Sequence, residues 1–566
     1  MNSTIASAWP LLPAPLRIHA GEGRLEVNRL PVMESIEPDL PGERSDEYYT
    51  LELTPERAWL RARGAAGLRG ARATLAQLRG LGAVPPLRIE DAPRFARRGL
   101  MLDISRDRVP TFDTLRGLVD RMASWKMNHL QLYVEHTVAY VGHEEVWRAA
   151  SPLTLEELSA LDVYAAEKGV ALTANQNCFG HFERWLRHPR YAPLGEMDRG
   201  HMHHGVFFVP PNTLCPTDPR SLRLVEDLLE QLVPRCSGAY ANIGCDEPWD
   251  LGLGRSRAEC EGKGRGRVFS EYVAKAADKV RRLGKRPQFW CDPHPNEDGA
   301  LLGDIVALIW GYDAATNFET RAAAHRAAGR EVWVAPGTSC WGSSTGRTWN
   351  RRANLDRAAA TPSDGFLCTA WGDGGHRQPW PVTLFGFAEA AMAAWSGPGR
   401  YEAAAAGLHA FGHSQLGEWL ADLGNVDAEL CRGERPGFGG ASPQPVYNQT
   451  ALWRELHTPF HERQGPGDTA AWEEIGARLA SLSRALPALA DPLLERECRH
   501  GLDIAQWTCE RALLRRRSDP ALEDRKRLAA RMCDLMAEYR ELWLARSRPG
   551  GLEDSLAHYA AFARQW

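Results

Sequence analysis

The chain has 566 residues and a formal net charge of −4, with acidic and basic residues interspersed along it. That length exceeds one ordinary core and predicts two or three domains, and the charge balance offers no basic field for nucleic acid. No run of about 18 apolar residues exists to cross a bilayer, and the opening "MNSTIASAWPLLPAPLRIHAG" lacks the basic segment and apolar stretch of a signal peptide.

In chain order, residues 1–92 read as a small α/β domain. "YYTLELTPERAWLRA" has the alternation and Thr-Pro turn of a hairpin, and "GAAGLRGARATLAQLRG" is an Ala/Leu helix closed by glycine. Residues 93–397 change to a repeated strand-helix pattern. The strands are "RGLMLDI", "HLQLYVEH", "VALTANQN", "AYANIGCDE", "RPQFWCD", "IVALIWGYD", "EVWVAPG" and "GFLCTAWGD". Between the first two, Leu115, Leu118, Val119 and Met122 share a helix face. Before the fourth, Asp218 and Pro219 mark a helix start, with Leu222, Val225, Leu229 and Leu232 on one face. Eight such units predict a parallel sheet closed into a (β/α)8 TIM barrel. A doubly wound open sheet is the structural rival, but no GxGxxG follows any strand. From residue 398 to 566 strand signals fade, and long amphipathic helices predict a C-terminal α-helical domain, with a Gly/Pro-rich loop at "RGERPGFGGASPQP". Its run Arg515, Arg516 and Arg517 reads as a solvated helix face.

The twelve cysteines are scattered without a CxxC pair. This reads as reduced thiols in the cytoplasm, with no disulfide framework and no zinc site. Twenty tryptophans are a surplus for this length, and indoles suit the flat faces of sugar rings as well as a core.

Chemistry in such a barrel lies at the carboxyl ends of the strands, and here those ends are polar nearly throughout. They carry Asp103 and Arg106, Glu135 and His136, His181, Asp246 with Glu247, Trp290 with Asp292, Trp310 with Tyr312, Trp341, and Trp371 with Asp373 and His376. In the second strand, Gln131, Tyr133 and Glu135 share the face toward the barrel axis, while Leu130, Leu132 and Val134 face the helices. Carboxylates, an arginine and indoles around one mouth describe a polyhydroxylated ligand. They point to a glycosidase, whose carboxyl groups protonate the leaving oxygen and stabilise charge at the anomeric carbon. Asp246 and Glu247 pose a difficulty. Retaining glycosidases usually place acid and nucleophile on separate strands, and adjacent residues of one strand point to opposite faces. Both can face one substrate only if the strand ends and twists between them.

These motifs resemble glycoside hydrolase family 20, the β-N-acetylhexosaminidases. "NIGCDE" is similar to the family's fourth-strand signature, "RRGLMLDISRD" to its first strand, and "SWKMNHLQLYVEH" to its second helix and strand. "FGH" resembles its third-strand Gly-His, and "AWGD" its eighth-strand Trp-Gly-acid. The order agrees over roughly residues 40–390. The resemblance implies an exo-acting, retaining enzyme that removes terminal β-linked GlcNAc or GalNAc from an oligosaccharide or glycoconjugate. Its nucleophile is the substrate's own 2-acetamido oxygen, an exception to the two-carboxylate scheme. Glu247 is then the general acid and base, Asp246 orients the acetamide, and His181 stands behind the acid. Arg106, Glu135, Trp371 and Asp373 hold or floor the sugar, Trp290, Trp310 and Trp341 wall the acetamido pocket, and Tyr312 binds its oxygen. One carboxyl must be protonated beside an ionised neighbour, and a nearby negative charge favours the protonated form.

Many members end the second strand with an acidic pair that supports the histidine. Here "VEHT" leaves that support to Glu135 or His136. Pro248, directly after the pair, stiffens the turn. The chemistry requires no cofactor and no metal, and "HMHH" at 201–204 reads as a polar loop near the mouth. The rivals are a catalytically silent carbohydrate-binding barrel, a retaining glycosidase for non-acetamido sugars, and a metal hydrolase built on His201, His203 and His204. Neither nucleic acid nor membrane is an expected partner, and assembly into a homo-oligomer stays open.

Overall fold

A computed structural model describes residues 9–564 apart from 44, 204–206, 293–301, 436–444 and 463–464. Most of the Gly/Pro-rich loop and His204 thus lie outside the described residues.

The first layer is a five-stranded sheet in the order 17–20, 87–91, 49–53, 58–62, 32–36, with the helix Ala65–Gly80 packed against it. Strands 49–53 and 58–62 pair antiparallel across the Thr-Pro turn. Tyr49, Leu51 and Leu53 bury with Leu60, Leu68, Leu75 and Leu78, so alternation on the sheet meets helical spacing in one small core.

The eight predicted strands form a closed parallel barrel: Arg97–Asp103, His129–Val134, Ala171–Gln176, Tyr240–Asn242, Arg286–Cys291, Val306–Trp310, Val332–Ala335 and Gly365–Ala370. The last strand closes on the first, with Ala370 opposite Leu102. Alternation puts Gln131 inside, where it hydrogen-bonds Gln288, Asn175 and Asn242 from three other strands. Several of the intervening helices start on side-chain caps. Thr154 and Glu157 form a capping box, and Asp218 accepts from the Arg220 amide with Pro219 in the first turn. In the latter helix Leu224 and Leu228 complete the buried face, whereas Leu222 sits at its margin.

One cluster of buried side chains runs from the barrel into the following helices, including Trp419, Leu452, Trp472 and Leu502. The apolar helix Trp380–Ser396 is buried almost throughout, and among the described residues no helix is long and apolar enough to cross a membrane. The arginine run departs from the sequence-based expectation. Arg515 and Arg516 are buried against Glu455 at 2.8 and 3.4 Å, and only Arg517 is exposed. A buried carboxylate needs cationic partners, and the same segment supplies a third in Arg511, 3.3 Å from Glu455.

The first domain is pinned to the barrel by one buried carboxylate. Asp91 accepts hydrogen bonds from Tyr49 Oη (2.6 Å), Trp395 Nε1 (2.9 Å) and Lys126 Nζ (2.8 Å). Burial pulls the Lys126 ammonium below its usual range against the pull of Asp91. Asp91→Ala strands this cation, and breaking such a pair costs about 3–5 kcal/mol. Urea unfolding is expected to show that loss, and an unchanged midpoint would contradict it.

Candidate active site

The fourth barrel strand stops at Asn242, four residues before the acidic pair. Gly244, Cys245 and Glu247 then adopt left-handed backbone angles, with φ of 64°, 68° and 49°. This is the twist that lets adjacent side chains serve one cavity. Non-glycine residues in this region cost about 1–3 kcal/mol each, so the turn needs support. The Glu247 amide donates to Asp292 Oδ2 at 3.0 Å, and the Cys245 amide to Asn177 Oδ1 at 3.2 Å. Gly180 lies flat against the turn. A Cβ there would collide with the carbonyl oxygens of Asp246 and Glu247.

Asp246 is held from two sides. Asn177 Nδ2 donates to its Oδ1 at 2.7 Å, and His181 Nε2 lies 3.4 Å from its Oδ2. The same His181 nitrogen is 3.5 Å from Glu247 Oε2. Burial raises the cost of charge on Asp246, but His181 and Arg106 outweigh it and keep this carboxyl below its usual range. Glu247 is the more accessible of the pair, with its side chain 32% exposed against 10%.

Behind His181 stands Glu135, with Oε1 3.6 Å from Nδ1. Arg106 NH2 is also 3.3 Å from that nitrogen. A neutral ring can therefore accept from Arg106 while keeping its proton on Nε2, and an imidazolium can face Glu135. Burial opposes charge on the ring, yet Asp246 and Glu247 together lift its pKa well above the usual value. Of the two second-strand residues offered as support, Glu135 is the one beside His181. Burial pushes the His136 imidazole down to about 3. Arg106 is braced by Asp103 at 3.0 Å and Glu135 at 3.3 Å, and stacks over Tyr133 and Trp371.

These groups open onto a cavity of about 90 Å³. Arg106, Asp246, Glu247 and Asp373 give it polar walls, and Trp290, Trp310, Tyr312 and Trp371 give it aromatic ones. Tyr312 stacks on Trp310, and its hydroxyl accepts from Trp371 Nε1 at 2.7 Å. Asp373 stays exposed at the cavity mouth, where partial desolvation and the nearby Asp103 and Glu247 raise it to about 6 against the charge of Arg106. Of the predicted residues, His181 and Glu135 stand behind the cavity wall. Trp341 does not line it; its indole is fully buried and packs edge-on against Tyr312 at 5.0 Å. Asn177 and Asn448 carry parts of the site that the sequence motifs did not single out, while Asp292, a polar strand end in the sequence, braces the acidic turn. A larger cleft of about 1020 Å³ lies near Arg69, Arg97 and Lys168 at the amino-terminal ends of the strands, away from the acidic pair.

The "HMHH" segment forms a short hairpin strand, His201–His203, paired with Phe207–Val209. His201 lies 3.4 Å from Asp250, which also accepts from the Asn212 and Thr213 amides. Among the described residues, the one trio of potential metal ligands with atoms within 4.8 Å is His181, Asp246 and Glu247.

A model of the glycosyl hydrolase family 20 catalytic domain matches residues 95–341, which hold strands one to seven and the acidic pair. Most of the barrel thus carries the pattern of that catalytic domain. Similar curated proteins include a β-N-acetylhexosaminidase of Cellulomonas fimi, 27% identical over 312 residues that span 51% of this chain and 58% of that protein. A β-hexosaminidase of Akkermansia muciniphila is 27% identical over 286 residues, spanning 44% of this chain and 57% of that protein. The chain thus spans less than two thirds of these relatives. Among solved structures, Flavobacterium johnsoniae chitobiase superposes with a TM-score of 0.56 at 17% identity, covering 95% of this chain and 97% of that one. An exo β-N-acetylglucosaminidase from Vibrio harveyi in complex with N-acetylglucosamine gives 0.58 at 17%, covering 75% and 79%. At that identity the likeness concerns the fold.

Within this barrel, the contact between Gly180 and the acidic turn is a strict steric demand. Gly180→Ala must push backbone against backbone, and such overpacking costs about 1–3 kcal/mol. Chemical denaturation is expected to show that loss, and wild-type stability would mean that the turn has room to spare.

Proposed function

We propose that the chain is an exo-acting, retaining β-N-acetylhexosaminidase that removes terminal β-linked GlcNAc or GalNAc by substrate-assisted catalysis. The observation that carries this reading is the turn at 244–247, which aims two adjacent carboxylates at one aromatic-walled cavity and leaves them different surroundings. Asp246 is buried and kept ionised, whereas Glu247 faces the opening. An enzyme with its own nucleophile needs two carboxyl groups on opposite sides of the sugar, about 5 Å apart. Neighbours on one turn suit a division in which the nucleophile belongs to the substrate.

In the first step Glu247 gives its proton to the glycosidic oxygen as that bond breaks. The acetamido oxygen bonds to the anomeric carbon, and the resulting oxazolinium places positive charge on the amide nitrogen beside Asp246. In the second step Glu247, now a carboxylate, takes a proton from water as the water attacks the anomeric carbon and the oxazolinium opens. Two inversions give retention. Arg106 and Asp373 bind ring hydroxyls, Trp371 floors the sugar, and the Tyr312 hydroxyl donates to the acetamido oxygen before attack. The C4 hydroxyl, which distinguishes GlcNAc from GalNAc, falls to the Arg106 and Asp373 side of the cavity.

Glu247→Ala is expected to lower kcat on an aryl β-N-acetylhexosaminide by about 10²–10⁴-fold, the usual worth of general acid–base catalysis. A thiazoline mimic of the oxazoline should inhibit the wild-type enzyme, and aryl β-glucosides, which lack the acetamide, should not turn over. Near-normal activity of the variant removes Glu247 from the chemistry and overturns the reading; no turnover by wild type favours a silent binding barrel, and efficient glucoside hydrolysis a conventional glycosidase.

Acid conditions give a separate test. With its pKa raised to about 6, the Asp373 carboxyl is ionised above that pH and takes up a proton below it. Protonation removes the charged acceptor for a substrate hydroxyl, so kcat/KM is expected to fall as pH drops through about 6. In Asp373→Asn this limb should disappear from a profile already lowered at neutral pH. Persistence of the same limb in that variant would assign it to another group.

A further inference from the structure

We infer that Asn448, supplied by the region beyond the barrel, binds a hydroxyl of the sugar in the cavity and is a specificity-determining residue of this site. The inference rests on the reading of the cavity as a sugar site and adds a contact from a segment outside the barrel. Asn448 lines the same cavity as Asp246, Glu247 and Trp310. It has a left-handed φ of 52°, and its backbone amide donates to Asp313 Oδ1 at 3.2 Å.

The side chain is oriented by charge. Arg347 NH2 donates to Asn448 Oδ1 at 3.2 Å, and the Arg347 side chain is 1% exposed. A guanidinium only donates hydrogen bonds, which settles which end of the carboxamide faces it. The oxygen is committed to Arg347, and the NH2 group is turned away as a pair of donors. The position is anchored by packing too: the Asn448 carbonyl and Gln449 press against Gly342, where no Cβ fits, and the Thr450 amide donates to the Gly342 carbonyl at 3.0 Å. A residue held by Asp313, Arg347 and Gly342 is preorganised, which lowers the cost of ordering it around a ligand. The nearby Asp373 and Glu247 are acceptors when ionised. Asn448 adds a neutral donor, which suits the oxygen lone pairs of a sugar hydroxyl.

The test compares wild type, Asn448→Ala and Asn448→Asp on an aryl β-N-acetylhexosaminide and its 3-, 4- and 6-monodeoxy analogues. Asn448→Asp keeps an oxygen for Arg347 but removes both donors, so it should stay folded, with an unchanged unfolding midpoint. Both variants are expected to lose about tenfold in kcat/KM on the parent, mostly through KM, as befits one hydrogen bond to substrate. On the one analogue lacking the partner hydroxyl, wild type and variants should converge to within about twofold. The inference is overturned if both variants match wild type on the parent, or if their loss is the same factor on every analogue. Should wild type hydrolyse none of these compounds, the catalytic reading fails on its own. Calorimetric binding of free N-acetylhexosamine to wild type and Asn448→Asp then decides: weaker binding by the variant supports the contact, and equal or absent binding removes it.

Discussion

Two carboxylates on consecutive residues can face one cavity only where the chain turns out of the extended conformation between them. In this barrel that constraint governs the surroundings of the pair. The left-handed residues Cys245 and Glu247 are held by hydrogen bonds to Asn177 and Asp292, from the ends of the third and fifth strands. Gly180 gives the turn room to lie close, and His181 follows directly because the same loop must pass beside the acids. The local cost of the turn is thus spread over three strands that the closed barrel already fixes relative to one another.

Charge imposes the second requirement. Asp103, Glu135, Asp246, Glu247 and Asp373 crowd around Arg106 and His181. Buried carboxylates without partners would take up protons, and the site divides them by environment. Asp103 and Asp246 are kept low by cationic and amide neighbours, whereas burial lifts Glu135, and partial desolvation beside Asp103 and Glu247 lifts the exposed Asp373. Arg106 is central to this balance because its fork reaches Asp103, Glu135 and His181 together. A lysine, a single point charge, could not make the three contacts at once.

Much of this was legible in the sequence because it follows from local periodicity. Alternation in "HLQLYVEH" puts Gln131, Tyr133 and Glu135 on the inward face, and polar residues after apolar runs mark the strand ends that form the mouth. What escaped the sequence depends on distant partners. Indoles suit a core and a pocket equally, so nothing local separates Trp310, which lines the cavity, from Trp341, which backs Tyr312. Three arginines on one helix read as solvated until Glu455 is brought against two of them. Asn177 and Asp292 are ordinary polar residues at strand ends, and their importance lies in the turn they brace. The choice between Glu135 and His136 as support for His181 is likewise a matter of distance.

The region beyond the barrel bears on the site for the same reason. Ser555 Oγ donates to the Gly375 carbonyl at 2.7 Å, and Arg184 bridges Asp107 and Asp554 at 2.8 and 3.3 Å. Arg548 pairs with Glu157 at 2.6 Å, while the Thr111 amide donates to the Arg546 carbonyl at 2.9 Å. Apart from Glu157, which lies in the helix after the second strand, these contacts fall on segments that follow the first, third and eighth strands, the segments that carry Arg106, His181 and Asp373. Loops are the mobile part of a barrel enzyme, and precise catalytic geometry needs them held. The long helices meet that need from outside the barrel, and their buried side chains join its core. A site assembled in this way depends on the fold of the whole chain, because the elements that hold its loops come from sequence far beyond the residues that do the chemistry.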